Sequence, residues 1–334
     1  MRAAVVKEFG PIESHAVGDL PNPVAGPGQI LVTVKAVAVN YVDSLVVTGK
    51  YQFLPERPFA PGKLPAGVVS ALGPGVSGLK VGDRVLTLAE QGGYAEQVSV
   101  DARQCFKLPP SMSFIEAASM ALVYDTSWFA LRERARLKAG DSVLVLGSTG
   151  GVGLATVQLA KAMGARVLAG VSNAAKAPIA LEAGADDIID LSKDNLRDSL
   201  REQVYARNAG KGLDLGVDIV IDPVGGDAFD AALRALAWRG RLVVIGFASG
   251  RIPSVKANYL LVKNIEVSGL QVSDYRKRMP ELMAQCMEEI FSLFEAGKLK
   301  PAATATYPLD FFGQALQDIV GRRVNGRIVL LPNS

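Results

Sequence analysis

The stretch LGSTGGVGLA, Leu146 to Ala155, limits what this chain can fold into more than any other segment. An apolar run, SVLVLG, feeds directly into Gly150, Gly151 and Gly153, and a helical pattern from Val152 to Met163 follows without a spacer. A strand, a glycine turn and a helix in that order predict a helix start whose uncovered amides and positive dipole end face a phosphate. Glycine is needed because a side chain would hold the backbone away from the anion. Ser148 stands where the strict pattern has its first glycine, so the wider context has to carry the reading. Without that context, the glycines could simply let a helix pack close to a sheet.

The context is an alternation of strands and helices. After SVLVLG and its helix come RVLAGV, a helix near Lys176 to Ala183, DDIID, a helix from Leu196 to Ala206, DIVIDPV, a helix from Ala228 to Leu236, RLVVIGF and IEVSGL. Counting gives six short, nearly uniformly apolar strands, as expected of a parallel sheet covered by helices on both faces. Upstream, AAVVKEF, QILVTVKAVAVN, GVVSALG, DRVLTLA and YAEQVSV are separated by Pro/Gly-rich turns and predict a β-rich domain. The tail adds an amphipathic helix, MPELMAQCMEEIFSLFEAG, and a last strand, GRIVLLP. The fold class is therefore α/β, with a six-stranded Rossmann cofactor domain over 119–270, flanked by a β-rich domain over 1–118 and a tail of different character over 271–334.

RVLAGV ends at Val171, and Ser172 occupies the place where an acidic residue would bind a ribose 2′-hydroxyl. A carboxylate there would repel a 2′-phosphate. Ser172 and Asn173 offer neutral donors instead, and Lys176 a positive charge within one turn, a set that suits NADPH. The plainer alternative has Ser172 capping the next helix and Lys176 pointing into water.

Composition narrows the chemistry. His15 is the only histidine, and Cys105 and Cys286 are the only cysteines. A zinc site of the usual Cys/His kind cannot be assembled from that inventory, so no metal is expected. The balance of 36 Lys+Arg against 33 Asp+Glu, without basic-aromatic interleaving, argues against nucleic acid. The densest basic run, LRERARLKAGD from Leu131, reads as a solvated helix face. No apolar run reaches about eighteen residues and the N-terminus lacks a signal-peptide core, so no membrane partner and a cytoplasmic location are expected.

Several segments together resemble the zinc-independent quinone oxidoreductases of the medium-chain dehydrogenase/reductase superfamily. They are AVNYVDSLVVTGKY, RPFAPGKLPAGVVSALGPGV, GLKVGDRV, GGYAEQVSV, LKAGDSVLVLGSTGGVGLATVQLAKAMGA, DIVIDPVGG and NGRIVLLP, spread over essentially the whole chain. The resemblance implies a GroES-like catalytic domain built from both chain ends, and a homodimer pairing the edge strand near Ile265 to Leu270. It also implies site residues. Asn40 lies where zinc-bearing relatives have a cysteine ligand, and would sit beside the nicotinamide. Tyr51 matches a proposed proton donor of related enoyl thioester reductases, and Tyr41 is a second phenol in the same segment. Aromatic packing is the competing role for both tyrosines. Asp43 reads as a carboxylate fixing its loop through backbone amides. Leu64 stands where the family commonly has a Glu.

Cofactor contacts implied by position are Asn40, Thr126, Ser148, Gly150, Gly151, Val152, Gly153, Ser172, Asn173, Lys176, Val224, Phe247, Leu270 and Arg327. Helix capping is the alternative for Thr126, and core packing for the apolar members. The expected activity is NADPH-dependent hydride transfer to a quinone or a small α,β-unsaturated carbonyl compound. An enoyl thioester reductase is the alternative within enzymes, and would want a basic entry such as the helix expected at Arg132 to Lys138. Non-catalytic NADPH or RNA binding is the alternative outside them.

Overall fold

The computed structural model describes residues 1–210 and 215–333. It divides into two compact units. One comprises Met1–Leu122, Ser273–Glu295 and the chain from Lys300 onward, and the other Val123–Val272 with Ala296–Leu299.

In the first unit, the long strand Gln29–Val39 organises a seven-stranded sheet. It pairs antiparallel with Ala66–Leu72 and Gln97–Asp101 on its N-terminal stretch and with the C-terminal strand Arg327–Leu331 near its end. Alternate residues Ile30, Val32 and Val34 are fully buried, the period-two signature of a strand with one face on a core. The C-terminal pairing matches Ile328 to Val39, so the next step of the register brings Arg327 opposite Asn40. This unit is β-rich, as the sequence predicts, and is assembled from both chain ends.

The second unit holds the parallel sheet. Its strands are β1 (Ser142–Val145), β2 (Arg166–Val171), β3 (Asp187–Asp190), β4 (Val217–Asp222), β5 (Leu236–Val244) and β6 (Glu266–Gly269). Their order is β3-β2-β1-β4-β5-β6, every pair parallel, which is the order of a dinucleotide-binding sheet. β1 is buried along its whole length, as its uniform apolarity predicts.

Three local expectations need correction. The basic run is helical only to Arg134, because Arg136 takes a left-handed φ of 53° and Leu137 turns inward. Arg136 then pairs with Glu266 at 2.6 Å, so there is no basic helix over Arg132 to Lys138. β5 begins at Leu236, which the sequence reading left in the preceding helix, and accommodates a left-handed Arg239 before its regular stretch. Tyr41–Val47, where Asp43 is expected to fix a loop, is a short helix started at Asn40.

Candidate active site

The parallel order puts the loops after all six strands at one edge of the second unit. The order reverses beside β1, and a ligand crevice is expected at such a switch point. The loop after β1 leads into the helix Gly151–Ala162, whose cap residue Gly150 supplies no side-chain hydrogen bond. The amides of Gly151, Val152 and Gly153 are thus the helix's uncovered donors. Gly153 is required for packing: a Cβ there would lie 2.2 Å from the Gly147 carbonyl oxygen. Ser148 is wholly buried and its hydroxyl donates to Gly170 O at 3.0 Å, so its side chain ties the turn to β2.

After β2, Ser172 is exposed and Asn173 Oδ1 accepts from Ala175 N at 2.9 Å, capping the turn Ala174–Lys176. Lys176 makes no ion pair among the described residues. The loops after β4 and β5 are laced together, Ala248 N donating to Pro223 O at 3.1 Å and Ser249 N to Val224 O at 2.9 Å. Val224 packs against Gly147, and Gly225 leaves room for Phe247. Leu270 follows β6 and its amide bonds Val244 O at 3.0 Å. Thr126 is buried on the helix Val123–Trp128, next to Ser127, whose hydroxyl reaches Val152 O at 3.2 Å.

The sequence reading missed Asp222 at the end of β4. Its Oδ1 accepts from the amides of Val224 and Gly225 at 2.8 and 2.9 Å, shaping the DPVGG loop. The other oxygen is buried without a partner among the described residues, and burial pushes the carboxyl pKa up against those two hydrogen bonds.

In the first unit the candidate residues form a hydrogen-bonded chain. Arg327 is buried, and its guanidinium donates to Ser119 O at 3.1 Å, Ala121 O at 3.2 Å and Asn40 Oδ1 at 3.0 Å. Asn40 Nδ2 in turn donates to Ala38 O at 3.2 Å and to Asp43 Oδ2 at 3.3 Å. Both hydrogens of the amide are therefore engaged within the protein, which orients Asn40. Asp43 Oδ2 also accepts from Asn40 N at 2.9 Å and from the Tyr94 hydroxyl at 2.8 Å. Burial raises the Asp43 pKa, opposed by the Lys63 charge and by these donors.

Two glycine loops set that chain in place. Gly93 N bonds Gly62 O at 3.0 Å and Tyr94 N bonds Pro61 O at 2.9 Å. A Cβ on Gly62, whose φ is +93°, would fall 2.2 Å from the Tyr94 ring. The same PGK turn buries Lys63, whose ammonium pairs with Glu90 at 2.7 Å and lies 5.7 Å from the centroid of the Tyr51 ring. Glu90 also pairs with buried Arg276 at 2.8 Å. Burial would raise the Glu90 pKa, but the Arg276 and Lys63 charges outweigh it and hold the carboxyl at about 2. Leu64 is buried and contributes no polar atom. Tyr51 is half-buried, whereas Tyr41 is 47% exposed.

A surface cleft lined by Lys7, Phe9, Asp19, Leu54 and Arg57 includes none of these candidates. Among the described residues no three His, Cys, Asp or Glu side chains converge as a metal site.

Two family models match the chain: an alcohol dehydrogenase GroES-like domain over residues 26–110 and a zinc-binding dehydrogenase domain over 151–289. A quinone oxidoreductase-like protein 2 homolog of Nematostella vectensis is 37% identical over 308 residues, 91% of this chain and 82% of that protein. The quinone oxidoreductase of Mus musculus is 33% identical over 334 residues, covering 99% of this chain and 98% of its own. The chain belongs to the quinone oxidoreductase family of the medium-chain dehydrogenase/reductase superfamily. Among solved structures, Escherichia coli quinone oxidoreductase complexed with NADPH superimposes with a TM-score of 0.89 at 29% identity, covering 99% of this chain and 100% of that one. The family's zinc-binding label does not extend to this member's donor set: one histidine and two cysteines, the latter at Cys105 and Cys286, in different segments.

Proposed function

We propose that this family member is an NADPH-dependent oxidoreductase that passes hydride to a quinone or a small α,β-unsaturated carbonyl compound without zinc. The observation carrying the reading is the end of β2, where Ser172 replaces the expected acid and Lys176 stands within one turn, without an ion pair among the described residues. That set would hold a 2′-phosphate. The uncovered amides of Gly151 to Gly153 would receive the pyrophosphate, with Gly150 allowing its approach and Val224, Phe247 and Leu270 lining the remainder of the edge. The NADPH-bound relative supports the same cofactor.

NADPH, when bound, supplies the hydride. The acceptor oxygen then gains charge and needs a proton, for which Tyr51 is the donor. Asn40, oriented from one side by Arg327 and from the other by Asp43, acts as a positioning wall for the nicotinamide. Tyr41 borders the same helix start. We also assign a homodimer through β6, whose outer edge has no strand partner among the described residues, next to exposed Leu261 and Val262.

Oxidation of NADPH by chelator-treated protein, followed with a quinone and with an enoyl thioester in parallel, tests the activity. Turnover of the quinone is expected. Turnover of the thioester alone would move the assignment to an enoyl reductase, and tight NADPH binding with neither acceptor reduced would leave a binding protein.

A further inference from the structure

The segment joining the helix Phe312–Val320 to the strand Arg327–Leu331 carries the sole Asn-Gly pair of the chain, Asn325–Gly326. Asn325 is exposed, and the pair lies in a bend outside any helix or strand. Neither the Asn325 carboxamide nor the Gly326 amide has a hydrogen-bond partner among the described residues. Other asparagines are held. Asn40 bonds Ala38 O and Asp43, Asn173 Oδ1 accepts from Ala175 N at 2.9 Å, Asn208 is buried and donates to Gly216 O at 2.7 Å, and Asn333 Nδ2 donates to Val34 O at 2.6 Å. A glycine after an asparagine has no Cβ to keep its amide nitrogen away from the preceding side-chain carbonyl. This glycine is also hard to replace: its φ is +94°, and an added Cβ would lie 2.8 Å from Thr304 Cγ2.

We propose that Asn325 is a modification site, at which the folded protein deamidates spontaneously through a cyclic imide formed with Gly326, and that the isoaspartate product loosens the strand carrying Arg327. The proposal is independent of the oxidoreductase reading. The Gly326 amide nitrogen gives its proton to solvent and attacks Asn325 Cγ. A new N–C bond forms, the bond from Cγ to the side-chain nitrogen breaks, and that nitrogen leaves as ammonia after taking up a proton. Water then opens the ring at either carbonyl, giving aspartate or isoaspartate, with no oxidant or reductant involved. Isoaspartate routes the main chain through the side-chain carbonyl and lengthens it by one methylene. Thr304, which crowds Gly326, donates its hydroxyl to Arg327 O at 2.9 Å, and the Arg327 guanidinium donates to Asn40 Oδ1 at 3.0 Å. The extra methylene has to be absorbed at the start of that strand, whereas aspartate keeps the main-chain length unchanged.

Ageing the full chain tests this. Folded protein is incubated in mildly alkaline buffer beside a denaturant-unfolded sample. Both are then digested at acidic pH, where the imide does not form, and mapped by mass spectrometry, with isoaspartate labelled by an isoaspartyl methyltransferase. An exposed bend opens at little free-energy cost, so conversion at residue 325 is expected in the folded protein within about tenfold of its rate in the unfolded chain. Slower conversion than that would overturn the proposal, as would labelling of Asn325→Gln to the same extent as the unmodified protein. The aged protein should show a lower thermal midpoint than fresh protein, and Asn325→Asp the same midpoint as fresh protein. An unchanged midpoint after conversion, or an equal loss in Asn325→Asp, would overturn the effect of chain length on the Arg327 strand.

Discussion

The cofactor edge of the second unit is made mainly of backbone, whereas the candidate acceptor cluster of the first is made of side chains. Gly150 to Gly153, the DPVGG loop and the turn after β2 present amides at positions that a single short segment dictates. Arg327, Asn40, Asp43, Tyr94, Lys63 and Glu90 come from four separate segments, and meet only because the strands Gln29–Val39 and Arg327–Leu331 pair and two glycine loops stack. The difference teaches where each part is vulnerable. The first kind of site fails when a Cβ is added, the second when a hydrogen bond or a charge is removed.

The sharpest break should come from Gly153→Val. Its side chain would collide with the Gly147 carbonyl, 2.2 Å from an ideal Cβ. NADPH affinity is expected to fall about 100-fold or more, as overpacking that forces a backbone shift costs roughly 1–3 kcal/mol or above. Isothermal titration, with circular dichroism as the folding control, measures it.

On the side-chain half, Tyr94→Phe removes the donor at 2.8 Å from buried Asp43. A loss of about 1–3 kcal/mol in denaturant stability is expected, the cost of a buried acceptor losing its donor. NADPH affinity should hardly change, which is what separates the two regions. A large loss of NADPH affinity in Tyr94→Phe would erase the distinction.

A subtler test returns to the cofactor edge. Lys176→Ala should weaken NADPH binding about tenfold and leave NADH untouched, since only the 2′-phosphate is lost from the contact. Equal weakening of both nucleotides would instead place Lys176 near the pyrophosphate.

The smallest effect is one of pH. Glu90 is held at about 2, below its ordinary 4.5, so the stability it contributes is complete above pH 4.5 and is lost as pH falls toward 2. The thermal midpoint should decline across that window. In Lys63→Met, Glu90 keeps only one of its two cations, so the decline should be smaller and should end at a higher pH.

This contrast also explains what could be read without coordinates. The strand, glycine turn and helix of LGSTGGVGLA, the six-strand count and the missing acid at Ser172 are local signals, and the sheet order bears out the fold. Asp43 was legible as a carboxylate accepting a backbone amide, because it stands close behind a strand. Tyr94 and Lys63 were not, because nothing in GGYAE or PGKL indicates that Gly62 gives way to the Tyr94 ring. Arg327 is a cofactor contact only by resemblance, and nothing in NGRIVL indicates that its guanidinium also bonds Asn40 and two carbonyls of its own unit. Only the C-terminal strand register reveals that pairing.

The central claim, hydride transfer from NADPH to a quinone, is tested most directly by a single-turnover experiment on chelator-treated protein. Absorbance at 340 nm would be followed after mixing with a quinone, once with NADPH and once with NADH. Complete oxidation of one equivalent of NADPH, at least about ten times faster than NADH at equal concentration, is the expected result. Persistence of the NADPH signal in the presence of quinone, or recovery of oxidation only when zinc is returned, would contradict it.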